Sequence, residues 1–137
     1  ELIIINVVAC VLQKKNKILI SSRPQQKEFA GFFEFPGGKV KKNEFFLSAL
    51  RRELLEELSI KIDLNKVIFL KNYLIRRNDK KIFINFFICE KWYGKMKPME
   101  HQHLKWTTIE KLCNENMLLS NRKIIKYLKL NFSFPGT

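Results

Sequence analysis

The chain has 137 residues, 46% of them hydrophobic, with 26 Lys and Arg against 13 Asp and Glu, a formal net charge of +13. That length and apolar content fit one folded domain, residues 1–137, and exclude a disordered chain. No apolar run approaches the roughly 20 residues of a membrane-spanning helix, so no membrane association is expected.

"IIINVVACVL" (3–12) and "KILISSR" (17–23) flank the polar turn "QKKN" and predict a β-hairpin, the first run reading as a buried strand. A loop around Pro24–Gly31 leads to the short strand "FFEF", and Pro36-Gly37-Gly38 makes a sharp break. From Asn43, as N-cap, to Leu58 the pattern is helical, with Leu47, Leu50, Leu54 and Leu58 on one stripe. "VIFLKNYLIRR" and "KIFINFFICEKW" flank "ND" and predict a long second hairpin. A loop from Tyr93 to Glu100, a strand "HLKWTT", a short helix "IEKLC" and a C-terminal helix "NRKIIKYLKL" complete the chain. Strands interrupted by two helices predict an α/β (α+β) sandwich, a mixed sheet between helices.

Twenty of the 26 cations are lysines spread along the chain, among abundant Asn, Ile and Phe. Such a field attracts polyphosphates of any kind, yet dispersed, solvated lysines carry little functional weight. Cys10, Cys89 and Cys113 form no CxxC pair, which argues for a reducing cytosol and against a disulfide framework or zinc site. Cys10 and Cys89 fall in apolar runs and read as small buried hydrophobes.

One feature conflicts with helix physics. Glu53, Glu56 and Glu57 crowd the last turns of the first helix, where neighbouring carboxylates repel and the macrodipole already presents negative charge. A solvated acidic face, with an Arg52–Glu56 pair, is the bland account of an isolated ExxEE. A cation that relieves the repulsion is the functional one. Oxygen ligands select Mg²⁺ or Mn²⁺, and the preceding glycine pair allows backbone close to metal and phosphate.

The whole stretch decides between them, because it resembles the Nudix box, G-x5-E-x7-R-E-U-x-E-E-x-G-U with U bulky and aliphatic. Gly38, Glu44, Arg52, Glu53, Leu54, Glu56, Glu57 and Ile60 match, while Ser59 replaces the second glycine. That glycine ends a helix where a left-handed conformation is cheap, so Ser59 implies a costlier cap and intact chemistry. Over nearly its full length the chain also looks like the MutT branch of that family, which hydrolyses 8-oxo-dGTP. Arg23, the segment Glu34-Phe35-Pro36-Gly37-Gly38-Lys39, Glu100 and Asn121 match positions of that branch.

The resemblance implies the Nudix fold and Mg²⁺-dependent hydrolysis of 8-oxo-dGTP to nucleoside monophosphate and pyrophosphate, which cleanses the nucleotide pool and prevents replication errors. It puts Glu53, Glu56 and Glu57, with a carbonyl of Gly37 or Gly38, at the metal, Mn²⁺ being a possible substitute. Glu53 orients or deprotonates water, with Glu100 as the alternative, and Arg52 positions the carboxylates. Arg23 and Lys39 steady phosphate, the segment from Glu34 holds the purine and Asn121 reads the oxidised base. As simple alternatives, Arg23 is a surface cation, Asn121 a helix cap, and His101 and His103 strand-edge residues. The chain is expected to act as a cytoplasmic monomer on a free nucleotide, without a stable nucleic-acid complex. Rival readings are another Nudix specificity (an undamaged NTP, a pterin triphosphate, ADP-ribose or an RNA 5′ end) and a catalytically silent nucleotide-binding module.

Overall fold

A computed structural model describes residues 3–132. The first predicted hairpin is present as β1 (Ile3–Lys14) and β2 (Lys17–Ser22), which stay paired only at Gln13–Ile18 and Lys14–Lys17. Beyond that point the two strands part. β1 runs parallel to β7 (Lys80–Cys89) from Ile3–Lys80 to Leu12–Cys89, and β7 forms the second predicted hairpin with β6 (Val67–Arg77). The other edge of β1 takes the short strand β4 (Gly37–Lys39) at Val7–Ala9. β2 pairs instead with β3 (Phe33–Glu34) and β9 (Leu104–Thr107). The sheet therefore reads β3-β2-β1-β7-β6, with β4 and β9 attached. β5 (Lys61–Ile62) and β8 (Trp92–Tyr93) form a separate small pair.

Helices cover both faces, as the alternation predicted. On one side Val8, Cys10 and Leu12 of β1 pack with Leu50, Leu54 and Leu58 of α1 (Phe46–Leu58). On the other, Ala9 and Val11 join Ile124 and Leu128 of α2 (Arg122–Asn131). A strand buried on both faces reads as a continuous apolar run, which is why β1 lacks polar alternation. Each buried leucine contributes roughly 1.5–3 kcal/mol. Burial also pushes the Cys10 and Cys89 thiols up, which leaves them inert, whereas Cys113 is exposed. No helix among the described residues is long and apolar enough to cross a membrane.

Four local expectations are corrected. α1 starts at Phe46, not Asn43, because Asn43 is left-handed (φ 65°) and Glu44 is drawn out of the helix by a side-chain contact described below. Leu47 is 38% exposed, so the packing stripe begins one turn later, with Ala49 and Leu50. "IEKLC" yields only a 3-10 turn at Leu112–Asn114, since so few residues cannot repay helix nucleation. β7 ends at Cys89, and Trp92 pairs elsewhere, with Ile62.

Candidate active site

Where β1 and β2 part, a cavity of about 490 Å³ opens, lined from β1, β2, β4 and the acidic face of α1. Of the thirteen candidate site residues, ten line it: Arg23, Glu34, Phe35, Gly37, Gly38, Lys39, Glu53, Glu57, Glu100 and Asn121. Arg52, Glu56 and Pro36 do not. Pro36 is buried and its carbonyl accepts from Cys10 N (2.8 Å), which seats the glycine pair on β1.

Both glycines are needed for close approach. A Cβ at Gly37 would collide with the Val8 carbonyl, and one at Gly38 would collide with the Glu53 carboxylate. The missing side chain of Gly38 is what lets a carboxylate of α1 lie against the backbone of β4.

Arg52 organises the acids from outside the cavity. It donates through Nε and Nη2 to both oxygens of Glu44 (2.8 and 2.9 Å) and through Nη1 to Glu53 Oε1 (2.8 Å). Weaker contacts reach Glu56 Oε2 (3.5 Å) and the Lys39 carbonyl (3.0 Å). The two-pronged hydrogen bond from Arg52 and one from Lys41 N hold the Glu44 carboxyl down at about 2. This clamp takes Glu44 out of the helix, and it neutralises part of the charge that looked misplaced. Glu56 remains 57% exposed in its side chain. The pairing anticipated by the bland account exists, but it touches only one edge of the cluster.

Glu57 has no such relief. Its Oε2 is buried without a hydrogen-bond partner among the described residues. Burial, then the negative charges of Glu53, Glu100 and Glu34, push its carboxyl up to about 9. Glu34 is likewise raised by burial, against the pull of Arg23. That arginine is already engaged: Nη1 meets Glu34 (3.2 Å) and Nε donates to the Glu28 carbonyl (2.6 Å), leaving its outer N–H groups for a ligand.

Asn121 lines the cavity from just before α2, is buried, and donates one long bond to the Leu118 carbonyl (3.5 Å). It makes no side-chain cap contact to the helix, so the simple capping account fails. His101 and His103 are exposed and stay outside the cavity, in line with the bland account.

Several lining residues escaped the sequence reading. Lys27 adds a cation from a loop whose path depends on tertiary contacts, Arg77 adds one from the end of β6, and Gln102 comes from the segment beside Glu100. The apolar wall is made by Ile5, Val7, Ile82 and Ile84. Its signal was present: these residues alternate on β1 and β7, facing one side of the sheet.

A family model, the NUDIX domain, matches residues 3–128. The chain belongs to the Nudix family. It is 36% identical to an 8-oxo-dGTP diphosphatase of Buchnera aphidicola from Schizaphis graminum over 124 residues, 90% of this chain and 92% of that one. It is 34% identical to a CTP pyrophosphohydrolase of Escherichia coli K12 over 106 residues, 77% of each chain. A solved structure from work on MutT of Aliivibrio salmonicida and Vibrio cholerae aligns with a TM-score of 0.80 at 27% identity, covering 94% of this chain and 99% of that one. The Nudix fold expected from the sequence is thus borne out.

Nudix hydrolases generally need divalent metal ions. Among the described residues no three acidic, His or Cys side chains are already gathered into a closed metal-binding group. An open site is nonetheless well supplied. Mg²⁺-type sites take one or two carboxylates and fill the remaining positions with water, backbone oxygen and substrate phosphate. The orphaned Glu57 oxygen, the Glu53 carboxylate and the bare backbone of Gly37 and Gly38 fit such a cation.

Proposed function

We propose that this chain is a Mg²⁺-dependent pyrophosphohydrolase of oxidised purine nucleoside triphosphates, 8-oxo-dGTP foremost, that releases nucleoside monophosphate and pyrophosphate. Its role is to cleanse the nucleotide pool before replication. The observation that carries the reading is the shared cavity: buried Asn121 faces the same space as Glu53 and Glu57. The 8-oxo-dGTP diphosphatase of Buchnera aphidicola supports the choice of substrate.

In this reading Glu57, Glu53, Glu56 and a carbonyl of Gly37 or Gly38 hold the metal. When bound, Mg²⁺ stabilises charge building on phosphate oxygens and acidifies water. Glu53, fixed by Arg52 and packed on Gly38, orients or deprotonates the attacking water, with Glu100 as the alternative. Lys39 and the free edge of Arg23 steady the phosphates. Glu34 and Phe35 hold the purine, whose ring packs on the apolar wall of Ile5, Val7 and Ile84. Oxidation at C8 turns N7 into a donor beside the O6 acceptor, and the Asn121 amide offers the complementary acceptor and donor. Ordinary guanine would set N7 against the amide oxygen and leave both unpaired in a dry pocket. The protein works as a single domain and a monomer in the cytoplasm, on a free nucleotide, without a lasting nucleic-acid complex.

Steady-state kinetics on 8-oxo-dGTP, dGTP and CTP with Mg²⁺ test the reading. The oxidised substrate should be preferred through KM, and Asn121→Ala should erase most of that preference with much less change in kcat. A variant that discriminates like wild type removes Asn121 as the reader. A wild type that favours CTP supports the second reading, pyrimidine triphosphate hydrolysis, for which the Escherichia coli relative is the specific motive.

A further inference from the structure

The segment that carries Glu100 is docked on the end of α1, at carbonyls that the helix itself leaves unpaired. Lys97 N donates to Leu58 O (2.9 Å) and Met99 N to Glu57 O (3.0 Å). Gln102 adds a second kind of contact. Its side chain, in a residue only 6% exposed, donates from Nε2 to Glu57 O (3.1 Å) and accepts at Oε1 from Glu100 N (2.9 Å). On its far side the segment is tied to β2, where His103 N donates to Ser22 Oγ (2.8 Å) and Ser22 N to His103 O (2.9 Å).

Capping alone does not account for this amide. Met99 N already satisfies the Glu57 carbonyl, so the Gln102 donor is surplus to that need. What the amide uniquely does is join the backbone of Glu57 to the backbone of Glu100. Both residues line the same cavity, so a tie between their backbones fixes how far apart their carboxyl groups stand. A neutral side chain with a donor and an acceptor can hold both ends without adding charge. Glutamate lacks the donor, and leucine lacks both groups.

We infer that Gln102 is a positioning residue, whose amide braces the Glu100 loop against α1 and thereby sets where the Glu100 carboxylate stands in the cavity. The inference rests on the proposed reading only in placing the chemistry in that cavity. It holds whichever triphosphate is turned over.

A double-mutant cycle tests it: Gln102→Leu and Glu100→Gln, alone and together, read as kcat and KM on the best substrate of the panel. Gln102→Leu should lower kcat roughly 10- to 100-fold, the range for outer-shell supports of a metal site, with KM little changed. In the Glu100→Gln background the same substitution should cost almost nothing more. Equal losses in both backgrounds, an inert Glu100→Gln, or a lowered Tm with unchanged kcat would each overturn the inference. Should Gln102→Leu not fold, Gln102→Glu, which keeps the acceptor for Glu100 N, carries the same comparison. The cycle can also be read without turnover, as the Mg²⁺-induced rise in Tm. Wild type that hydrolyses nothing on the panel but shows coupled losses in this rise sinks the proposed substrate and keeps the brace, while additive losses there sink the brace alone.

Discussion

Glu57→Gln should make the metal-free protein more stable while removing most of its response to metal. In the folded chain the Glu57 carboxyl is raised to about 9, and on unfolding it returns to about 4.5. At pH 7 the folded form therefore keeps a proton that the unfolded form releases, and folding opposes that release over the interval from 4.5 to 7. At 1.36 kcal/mol for each pH unit, the penalty comes to about 3 kcal/mol. Its sign follows from the direction of the shift. Below pH 4.5 both forms are protonated and the penalty is absent; it grows as pH rises and levels off only above about 9. Glutamine keeps the shape and cannot ionise, so the variant escapes this slope. For a chain of this size the difference at pH 7 corresponds to a rise in Tm on the order of 10 °C.

Thermal melts in EDTA from pH 5 to 8 should show the gap between variant and wild type widening steadily. Adding Mg²⁺ should then raise wild type by about 2.7 kcal/mol at a hundred times Kd, and the variant far less. Calorimetry in buffers of different ionisation enthalpy should register close to one proton released when Mg²⁺ binds wild type at pH 7. Coincident melting of the two proteins across the pH range would refute the burial argument, and equal Mg²⁺-induced shifts would remove Glu57 from the metal site.

Ser59 closes α1 in the left-handed region (φ 59°, ψ 29°), so Ser59→Gly should stabilise the protein by about 1 kcal/mol without changing kcat, measured by urea titration. Gly38→Ala should leave the fold intact but displace the Glu53 carboxylate, lowering kcat and the Mg²⁺ response together; activity like wild type would show that the close approach is dispensable. Glu53→Gln should lower kcat by several orders of magnitude, and a mild loss would shift water activation to Glu100. Hydrolysis in ¹⁸O-water should place label in pyrophosphate, since label in the monophosphate would mean attack at the α-phosphorus.

Hairpins and the acidic helix were legible because they are written in local period and turn chemistry. β6 and β7 alternate around Asn78-Asp79, and the spacing from Gly38 to Ile60 fits one family motif. Long-range pairing was not legible. Nothing near β1 announces that it lies parallel to β7, sixty and more residues away, or that it leaves β2 after two pairs. That parting makes the cavity, so its walls at Ile5, Ile82 and Lys27 went unassigned. The misplaced helix start has a similar cause. Asn43 is a good cap by residue type, but the grip of Arg52 on Glu44 decides where the helix can begin, and Arg52 lies eight residues further on. Gln102 gave no signal at all, since its meaning lies in two backbone groups distant from its own side chain in sequence or turned away by a tight loop.

The placement of acid at the wrong end of α1 now has a physical account with two parts. No basic residue occupies the last turn, so the helix terminus keeps its full negative field, and the carbonyls there are capped by neutral donors from Lys97, Met99 and Gln102. Compensation is then divided unequally. Arg52 relieves Glu53 and Glu56 from the outer side, where solvent also helps. Glu57, the most enclosed of the three, is left with a bare oxygen near the carboxylates of Glu53, Glu100 and Glu34, against the pull of Lys27. A helix selected for stability alone would place Lys or Gln at that position, and either would quiet the site. Among the described residues only the charge of Lys27 opposes those carboxylates, so under the proposed function the cost of the cluster is concentrated at Glu57, where an incoming cation would remove it.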